Sequence, residues 1–154
     1  MLYLLLAKLI AAGDLGIKYI VSKKLKENEK KELLNSRIEI CNIKNSGGLL
    51  NILDYRPNLV KWLDAFSTLY LTANLMLIVT GIKKKPSLRL PLALCVGGAW
   101  SNLVDRICNN NVTDYLYIKG KNLPVFNIGD LAIFAGGVLL LKRVYDIENN
   151  KEII

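Results

Sequence analysis

The apolar stretch WLDAFSTLYLTANLMLIVTGI at residues 62–82 decides the fold, because it carries no charge from Ala65 to Ile82. A helix needs roughly 20 apolar residues to cross about 30 Å of hydrocarbon, so this stretch has the length and composition of a membrane-spanning helix. Three further apolar runs, each with few charges, occupy residues 2–22, 90–108 and 123–141. The sequence therefore predicts an integral membrane protein of mainly α class with four transmembrane helices.

The composition leaves room for one domain only. The chain has 154 residues, of which 52% are hydrophobic and 22% are charged, and its mean hydropathy is +0.28. Four spans of about 20 residues take up about half of this length, so the rest suffices for loops but not for a soluble core. We therefore assign residues 1–154 to a single membrane-embedded domain, with an extracytoplasmic part formed by residues 23–61 and the loop 109–122.

The first apolar run also has to be weighed as a cleaved signal peptide, because residues 11–13 are the small residues that a cleavage site needs. No basic region precedes its apolar core, however, and Asp14 and Lys18 fall inside it. We therefore expect this run to remain as the first transmembrane helix.

The absence of histidine excludes several kinds of chemistry. Because the chain contains no histidine, it can have no Ser-His-Asp or Cys-His catalysis, no HExxH zinc site and no haem bound through histidine. The cysteines Cys41, Cys95 and Cys108 have no CxxC spacing, so we expect inert thiols, with a disulfide between Cys41 and Cys108 as the alternative. We expect neither a metal nor another cofactor, and the acids are the main candidates left for chemistry.

The net charge of +8 is concentrated beside the apolar runs, which favours contact with membrane lipids over binding to nucleic acid. The loop 83–89 is basic and contains no acid, and further basic residues follow span four. Basic residues accumulate on the cytoplasmic side, which would place both chain termini there. The loop 23–61 contains more basic residues in total and argues for the opposite orientation.

The two longer loops contain stretches with the alternation typical of β-strands. The loop between spans one and two begins with a charged stretch at 26–35, which we expect to be a short helix or a mobile loop. Strands are predicted at 37–44, at 49–53 after the break Asn45-Ser46-Gly47-Gly48, and at 112–118.

Polar residues are concentrated at corresponding ends of the spans. Successive spans alternate in direction, so the second halves of spans one and three lie at the same membrane face as the first half of span four. Ionisable groups within spans are costly and usually face a bundle interior or a wet cavity. We therefore expect one polar site at this face, to which the loops add Asn45 and Asp114. The span residues that meet there are Asp14, Lys18, Asn102, Asp105, Arg106, Asn127 and Asp130, and span two begins at the same face with Trp62 and Asp64.

Several of these residues also have purely structural explanations. Asp14 and Lys18 lie at i and i+4 on one helix face, where they either neutralise each other or hold a substrate or a loop. The small residues 97–99 are typical of close helix packing in lipid. Arg106 either extends to lipid head groups or binds the carbonyl groups of a bound peptide.

Asp114 and Asp130 are the acids best suited to catalysis. Asp114 lies in a short apolar and aromatic stretch, and Asp130 lies near the start of span four. Two carboxylates close together at a partly dry interface can share one proton, and such a pair can activate water against an amide without histidine or metal. The structural alternative makes Asp114 a turn residue and Asp130 a charge at a helix start.

Five motifs in order resemble those of signal peptidase II, the lipoprotein signal peptidase family of bacteria. The resemblance runs from span one to span four, and the chain resembles a somewhat divergent member. The motifs are Asp14-Leu15-Gly16-Ile17-Lys18, Asn45-Ser46-Gly47-Gly48, the stretch from Gly97 to Arg106 (GGAWSNLVDR), Val112-Thr113-Asp114-Tyr115, and Phe126-Asn127-Ile128-Gly129-Asp130.

The resemblance implies four transmembrane helices and a small β-rich cradle outside the bacterial cytoplasmic membrane. It implies a monomeric aspartic endopeptidase that removes signal peptides from diacylglyceryl-modified prolipoproteins, with its active site at the extracytoplasmic face. The catalytic dyad implied here is Asp114 and Asp130, which activate water. The residues implied to bind substrate or to support the site are Asp14, Lys18, Asn45, Gly47, Asn102, Asp105, Arg106 and Asn127.

The chain departs from the family pattern at packing positions. Ser101 stands where the family usually has Gly, and Gly129 stands where it has Ala. Neither change removes a dyad carboxylate, but both leave open a non-catalytic or specialised paralogue that binds lipidated peptides. Independently of these changes, the polar face leaves a small channel or carrier as a further alternative.

Overall fold

The structure is a computed structural model, and it describes residues 1–33, 37–47, 55–121 and 123–149. The described chain is mostly helical with a small antiparallel sheet, which confirms the predicted mainly α class. A short 3-10 turn at Pro86–Leu88 precedes the third helix. The elements are α1 (Leu2–Lys24), β1 (Lys30–Glu32), β2 (Ile38–Asn45), α2 (Pro57–Val79), α3 (Arg89–Asn109), β3 (Val112–Ile118) and α4 (Ile128–Glu148).

Helix α3 lies at the centre of the bundle and contacts the other three helices. Two glycines allow these contacts to be close. A Cβ atom at Gly97 would lie 2.8 Å from the Cβ of Ile10 in α1, and one at Gly98 would lie 2.9 Å from the carbonyl carbon of Gly129 in α4. These approaches confirm the packing role predicted for the small residues of span three.

The three strands form one antiparallel sheet in the order β1-β2-β3. Strand β3 spans Val112–Ile118, which is the stretch that the sequence predicts. Strand β2 is Ile38–Asn45, close to the predicted 37–44, and its pairing with β3 is irregular between Ile40 and Ile43. The strand predicted at 49–53 lies outside the described residues.

The prediction of a helix or a mobile loop at 26–35 is wrong at residues 30–32, whereas residues 26–29 form a turn. Lys30–Glu32 form an edge strand that pairs with residues 39–41 of β2. Charged residues are weak strand formers by themselves, but the free edge of β2 offers backbone groups that need partners. All three residues are exposed, as is usual for charged residues on an edge strand.

Two helices begin at residues other than those the apolar pattern predicts. Helix α2 begins at Pro57 rather than at 62, since proline is favoured in the first turn of a helix. Helix α4 begins at Ile128 rather than at 123, because Phe126 pairs with Leu116 of β3 through backbone bonds of 3.0 and 2.7 Å. It then continues past residue 141 to Glu148.

Among the helices in the described ranges, α2 is the one that meets a length-and-apolarity test for crossing a membrane. Its aromatic side chains Trp62 and Phe66 are 74% and 73% exposed. Helix α4 likewise exposes Phe134 and Leu141, at 71% and 74%. Large apolar surfaces of this kind mark contact with lipid or with another protein.

Candidate active site

Asn127 holds Asp114 and Asp130 together where β3 approaches the start of α4. This buried residue donates from Nδ2 to Oδ1 of Asp114 over 2.8 Å, and from its backbone N–H to Oδ2 of Asp130 over 3.0 Å. Its own Oδ1 accepts from the backbone N–H of Asp130 at 2.8 Å, which completes a capping box and fixes the first turn of α4. One residue therefore sets the relative position of the two acids.

Asp114 is almost fully buried and is held by a second amide. Asn45, the last residue of β2, donates from Nδ2 to Oδ2 of Asp114 over 3.0 Å. Burial and then the nearby charge of Asp130 raise the pKa of Asp114 from 3.8 to about 6, although the bonds from Asn45 and Asn127 act in the opposite direction. Asp114 therefore takes up a proton far more readily than an exposed aspartate does.

The other oxygen of Asp130 is held by a relay that begins at Lys18. The ammonium of Lys18 donates to Oδ1 of Asn102 over 2.7 Å, and Nδ2 of Asn102 donates to Oδ1 of Asp130 over 2.8 Å. A lysine ammonium can only donate, so the amide oxygen of Asn102 must face Lys18 and its NH₂ group must face Asp130. The relay thus presents a donor to Asp130 and brings a positive charge near it.

Asp14 and Lys18 form the predicted i, i+4 ion pair, at 2.9 Å, with side chains that are 0% and 3% exposed. The pair does more than neutralise itself. Oδ2 of Asp14 accepts from Ser101 Oγ at 2.5 Å, and Oδ1 accepts from the hydroxyl of Tyr115 at 2.7 Å. Ser101 Oγ in turn accepts from Lys18 at 3.1 Å. The pair therefore joins α1 to α3 and β3 beneath the two aspartates.

Tyr115 links this buried pair to the start of α4. Its hydroxyl oxygen accepts from the backbone N–H of Ile128 at 3.2 Å while its proton goes to Asp14. Burial, followed by the hydrogen bond to Asp14 and the charge of Asp14, raises the pKa of Tyr115, so this hydroxyl remains a donor.

Arg106 is buried against protein rather than extended toward head groups. One guanidinium nitrogen pairs with Asp64 of α2, and the other donates to the carbonyl oxygen of Gly47 over 2.5 Å. Arg106 thereby ties α3 to α2 and to the loop after β2.

Asp105 fixes the turn between α3 and β3. Its Oδ2 accepts from the backbone N–H of Thr113 at 2.7 Å, and its Oδ1 accepts from Nδ2 of Asn109 at 2.6 Å. Both oxygens are thus occupied by groups at the end of α3 and the start of β3.

The structure brings all ten predicted site residues to one end of the bundle. Sequence reasoning missed Ser101 as a hydrogen-bonding residue and Tyr115 as the partner of Asp14, and it left Asp64 without a role. Tyr115 carried the one usable signal, since a tyrosine in a buried strand needs a partner for its hydroxyl group.

The cysteines take no part in this site. Cys41, Cys95 and Cys108 are free, and burial raises the pKa of the Cys41 thiol. Within the described ranges, no three His, Cys, Asp or Glu side chains are grouped so that they could hold a metal ion.

Two carboxyl groups held side by side in a dry setting can share one proton, so that one acts as an acid and the other as a base toward water. Four long helices, a small sheet and two buried acids joined through Asn127 are compatible with an aspartic protease built on a helical bundle. The chain belongs to the signal peptidase II family, since the family's sequence model, described as Signal peptidase (SPase) II, matches residues 6–145.

Relatives and solved structures agree with this assignment. The chain is 30% identical to a lipoprotein signal peptidase of Brevibacillus brevis, over 98% of this chain and 100% of that protein. It is 34% identical to a lipoprotein signal peptidase of Syntrophus aciditrophicus, over 98% and 95%. A bacterial membrane enzyme solved by the in meso method at 2.3 Å resolution shares the fold, with a TM-score of 0.80, 22% identity and coverage of 99% and 93%.

Proposed function

We propose that this chain removes the signal peptide from prolipoproteins that carry diacylglycerol on a cysteine, cutting just before that cysteine. Membership of the signal peptidase II family supports the proteolytic reaction. Relatives matched over almost their whole length are lipoprotein signal peptidases, which supports the class of substrate.

Asp114 and Asp130 form the catalytic dyad of this proposal. The observation that carries it is that Asn127 donates a hydrogen bond to each of the two acids. Ionised Asp130 takes a proton from a water molecule as the water oxygen bonds to the scissile carbonyl carbon. Protonated Asp114 gives its proton to the carbonyl oxygen, which yields a tetrahedral diol. The diol then returns one hydroxyl proton to Asp114, the C–N bond breaks, and the leaving amine takes the proton held by Asp130.

The raised pKa of Asp114 supports its role as the acid of this pair. The relay from Lys18 through Asn102 supports the role of Asp130 as the base, since it offers a donor and a nearby positive charge to an ionised carboxylate. Asp14 supports the site by holding Lys18 in place.

All four helices span the membrane in this proposal, with the site at its extracytoplasmic face. Helices of 21 or 23 residues are about 32 to 35 Å long at about 1.5 Å per residue, enough for the hydrocarbon layer of a bacterial cytoplasmic membrane. Asp14 and Lys18 within α1 and Arg106 within α3 are buried and paired, which lowers the cost of placing them at this depth. The chain acts as a monomer, because the dyad and its supports come from one chain.

The test is cleavage of a synthetic peptide that carries a diacylglyceryl cysteine after a signal sequence. Asp130→Asn should abolish cleavage while the protein stays folded, because the variant has no base for water. Asp146→Asn is the matched control, since it makes the same chemical change in the same helix at the far end from the dyad, and it should cleave like the wild type.

Two outcomes contradict the proposal. If Asp130→Asn cleaves the peptide at the wild-type rate, Asp130 is not a member of the catalytic dyad. A purified, folded wild-type protein that binds the lipidated peptide but cannot cut it is instead a non-catalytic binding member of the family.

A further inference from the structure

A cavity lies at the same end of the bundle, between α1, α3 and the sheet. Its volume is about 290 Å³. Ser22, Lys44 and Thr113 line its polar part together with Lys18 and Asn109, and Cys108 also lies on its wall. The proteolytic mechanism uses Lys18 but assigns no task to Ser22, Lys44, Thr113 and Cys108.

The alternation of β2 and β3 directs Lys44 and Thr113 away from Asp114. Neighbouring residues of a strand point to opposite faces, so Asn45 points toward Asp114 while Lys44 points away from it. Lys44 and Thr113 are cross-strand partners in the register and therefore share a face. The cavity thus lies on the opposite face of the sheet from Asp114, and it adjoins the candidate active site through Lys18 and Asp105.

Lys44 supplies a positive charge with a free donor. Its Nζ donates to Ser22 Oγ over 3.0 Å and to Thr113 Oγ1 over 2.8 Å, and no carboxylate in the described ranges lies within ion-pair distance of it. An ammonium group has three donors, so one remains for an anion. Asp105 also lines the cavity, but Thr113 and Asn109 already occupy its oxygens.

The rest of the wall is largely apolar. Leu15 and Tyr19 lie one turn apart on α1, and Val104 faces them from α3. Lys23, in the last turn of α1, places its Nζ 4.7 Å from the centre of the Tyr19 ring. The cavity therefore combines a cationic floor, two hydroxyl groups and an apolar flank, which matches a phosphate group with alkyl chains attached.

We propose that this cavity binds the phosphodiester head group of an anionic membrane lipid, with a phosphate oxygen on Nζ of Lys44 and with Ser22 and Thr113 as further donors. The site gives a role to the basic loop 23–61, whose charge disagrees with the distribution expected for an extracytoplasmic segment. The inference rests on the proposed insertion into the membrane and not on the dyad.

The reaction rate of the Cys108 thiol measures whether lipid occupies this cavity, and it does so in the unmutated protein. Cys108 is the exposed cysteine, whereas Cys41 and Cys95 are buried. The full chain is placed in nanodiscs of phosphatidylcholine alone, or of phosphatidylcholine and phosphatidylglycerol in equal parts, and is labelled with an uncharged maleimide. We expect Cys108 to react several-fold more slowly when phosphatidylglycerol is present, because the bound head group covers it.

Charge-matched variants separate the cavity from general attraction to the basic surface. Lys44→Gln should retain phosphatidylglycerol about tenfold more weakly by native mass spectrometry and should lose the protection of Cys108. Lys31→Gln removes the same charge from exposed strand β1 and should behave like the wild type. Lys44→Arg keeps the charge and donors and should restore protection.

Three results overturn the proposal. Cys108 of the wild type reacts equally fast in both lipids, or Lys44→Gln and Lys31→Gln lose lipid to the same extent. Alternatively, inorganic phosphate added to phosphatidylcholine nanodiscs protects Cys108 as well as phosphatidylglycerol does, which assigns the cavity to a free anion. None of these measurements needs peptide cleavage, so a failure of the proposed proteolytic function would be seen separately.

Discussion

Asp114 is a residue whose raised pKa lowers the stability of the folded protein at neutral pH. Its folded pKa of about 6 lies above the unfolded value of 3.8, so the folded state holds the proton more tightly. The resulting stabilisation is fully present below the unfolded pKa and is lost as the pH rises through the folded pKa. A rise of about two pKa units corresponds to about 3 kcal/mol across this window.

We therefore expect Asp114→Asn to be inactive but more stable than the wild type at alkaline pH. Asparagine removes the buried charge and loses one amide hydrogen bond of about 1 kcal/mol, which leaves a net gain of about 1 to 2 kcal/mol. Thermal unfolding in detergent at a series of pH values measures this. The gain should shrink as the pH falls below the folded pKa, and a gain that is independent of pH contradicts the assigned cause.

Ser101 is a second residue with a measurable role, because its hydroxyl lies between the charges of the Asp14–Lys18 pair. Ser101→Ala leaves each of them one hydrogen bond short in a fully buried setting, which costs about 1 to 3 kcal/mol. Since Lys18 orients Asn102, we expect kcat for the lipidated peptide to fall more than KM changes. Ser67→Ala is the control, as Ser67 is exposed and bonds only within its own helix.

Equal stability and equal kcat in Ser101→Ala and in the wild type would remove Ser101 from the support of the site. Ser101→Gly adds a second comparison, because glycine is the residue that the family motif usually has at this position. If Ser101→Gly has the wild-type kcat and Ser101→Ala does not, the space beside α3 at this position determines kcat more than the hydroxyl group does.

The strands and helices differ in how far the sequence alone specifies them. Strand β3 was predictable because its residues are mostly β-branched or aromatic and are bounded by polar turns. Strand β1 was not, since three charged residues become a strand only when the edge of β2 is beside them. The start of α4 was misplaced for a related reason, because the apolar pattern continues through Phe126 although its backbone pairs with Leu116.

The candidate site likewise contains residues that the sequence alone singled out and residues whose roles depend on tertiary packing. Asp14, Asp114 and Asp130 stood out because a carboxylate in an apolar stretch is costly and needs a reason. Tyr115 and Ser101 carry no charge, so their hydroxyl groups gave little signal, and their bonds to Asp14 required the packing of α3 and β3 against α1.

The contact between α3 and α4 depends on a glycine pair, and it can be tested by adding one methyl group. Gly98→Ala would press its Cβ against the backbone of Gly129, which cannot move without shifting the start of α4. Such overpacking costs typically about 1 to 3 kcal/mol. We also expect cleavage to fall, since the bond between Asn102 and Asp130 crosses the same contact.

Gly137→Ala is the matched control for this prediction. A Cβ at Gly137 meets nothing within 4 Å, so alanine there should leave stability unchanged or raise it through better helix propensity. Equal melting temperatures for Gly98→Ala and Gly137→Ala contradict the close approach. Thermal unfolding and peptide cleavage of both variants supply the comparison.

The polar contacts that join α1, α3, α4 and the sheet are gathered at one end of the bundle, and Gly97, Gly98 and Gly136 allow close helix contacts along its length. Lys18, Asn102 and Asn127 join three helices and the sheet at that end. The opposite end carries the basic turn between α2 and α3, where residues 81–86 are exposed. The orientation in the membrane therefore decides whether the two aspartates face the outside of the cell or the cytoplasm.

We expect the end with the two aspartates to lie outside, and cysteine labelling of spheroplasts tests this. Cys108 is exposed at that end, so a membrane-impermeant maleimide should label the wild-type protein in intact spheroplasts, given a reaction time long enough to exceed the several-fold protection by bound lipid. In a Cys108→Ser background, Lys84→Cys places a thiol in the exposed turn after α2, which should react only after the membrane is permeabilised. Cys41 and Cys95 are buried and should stay silent in both proteins. The reverse pattern would place the dyad in the cytoplasm, where the basic turn rather than the loop 23–61 would carry the charges that disagree with the orientation rule.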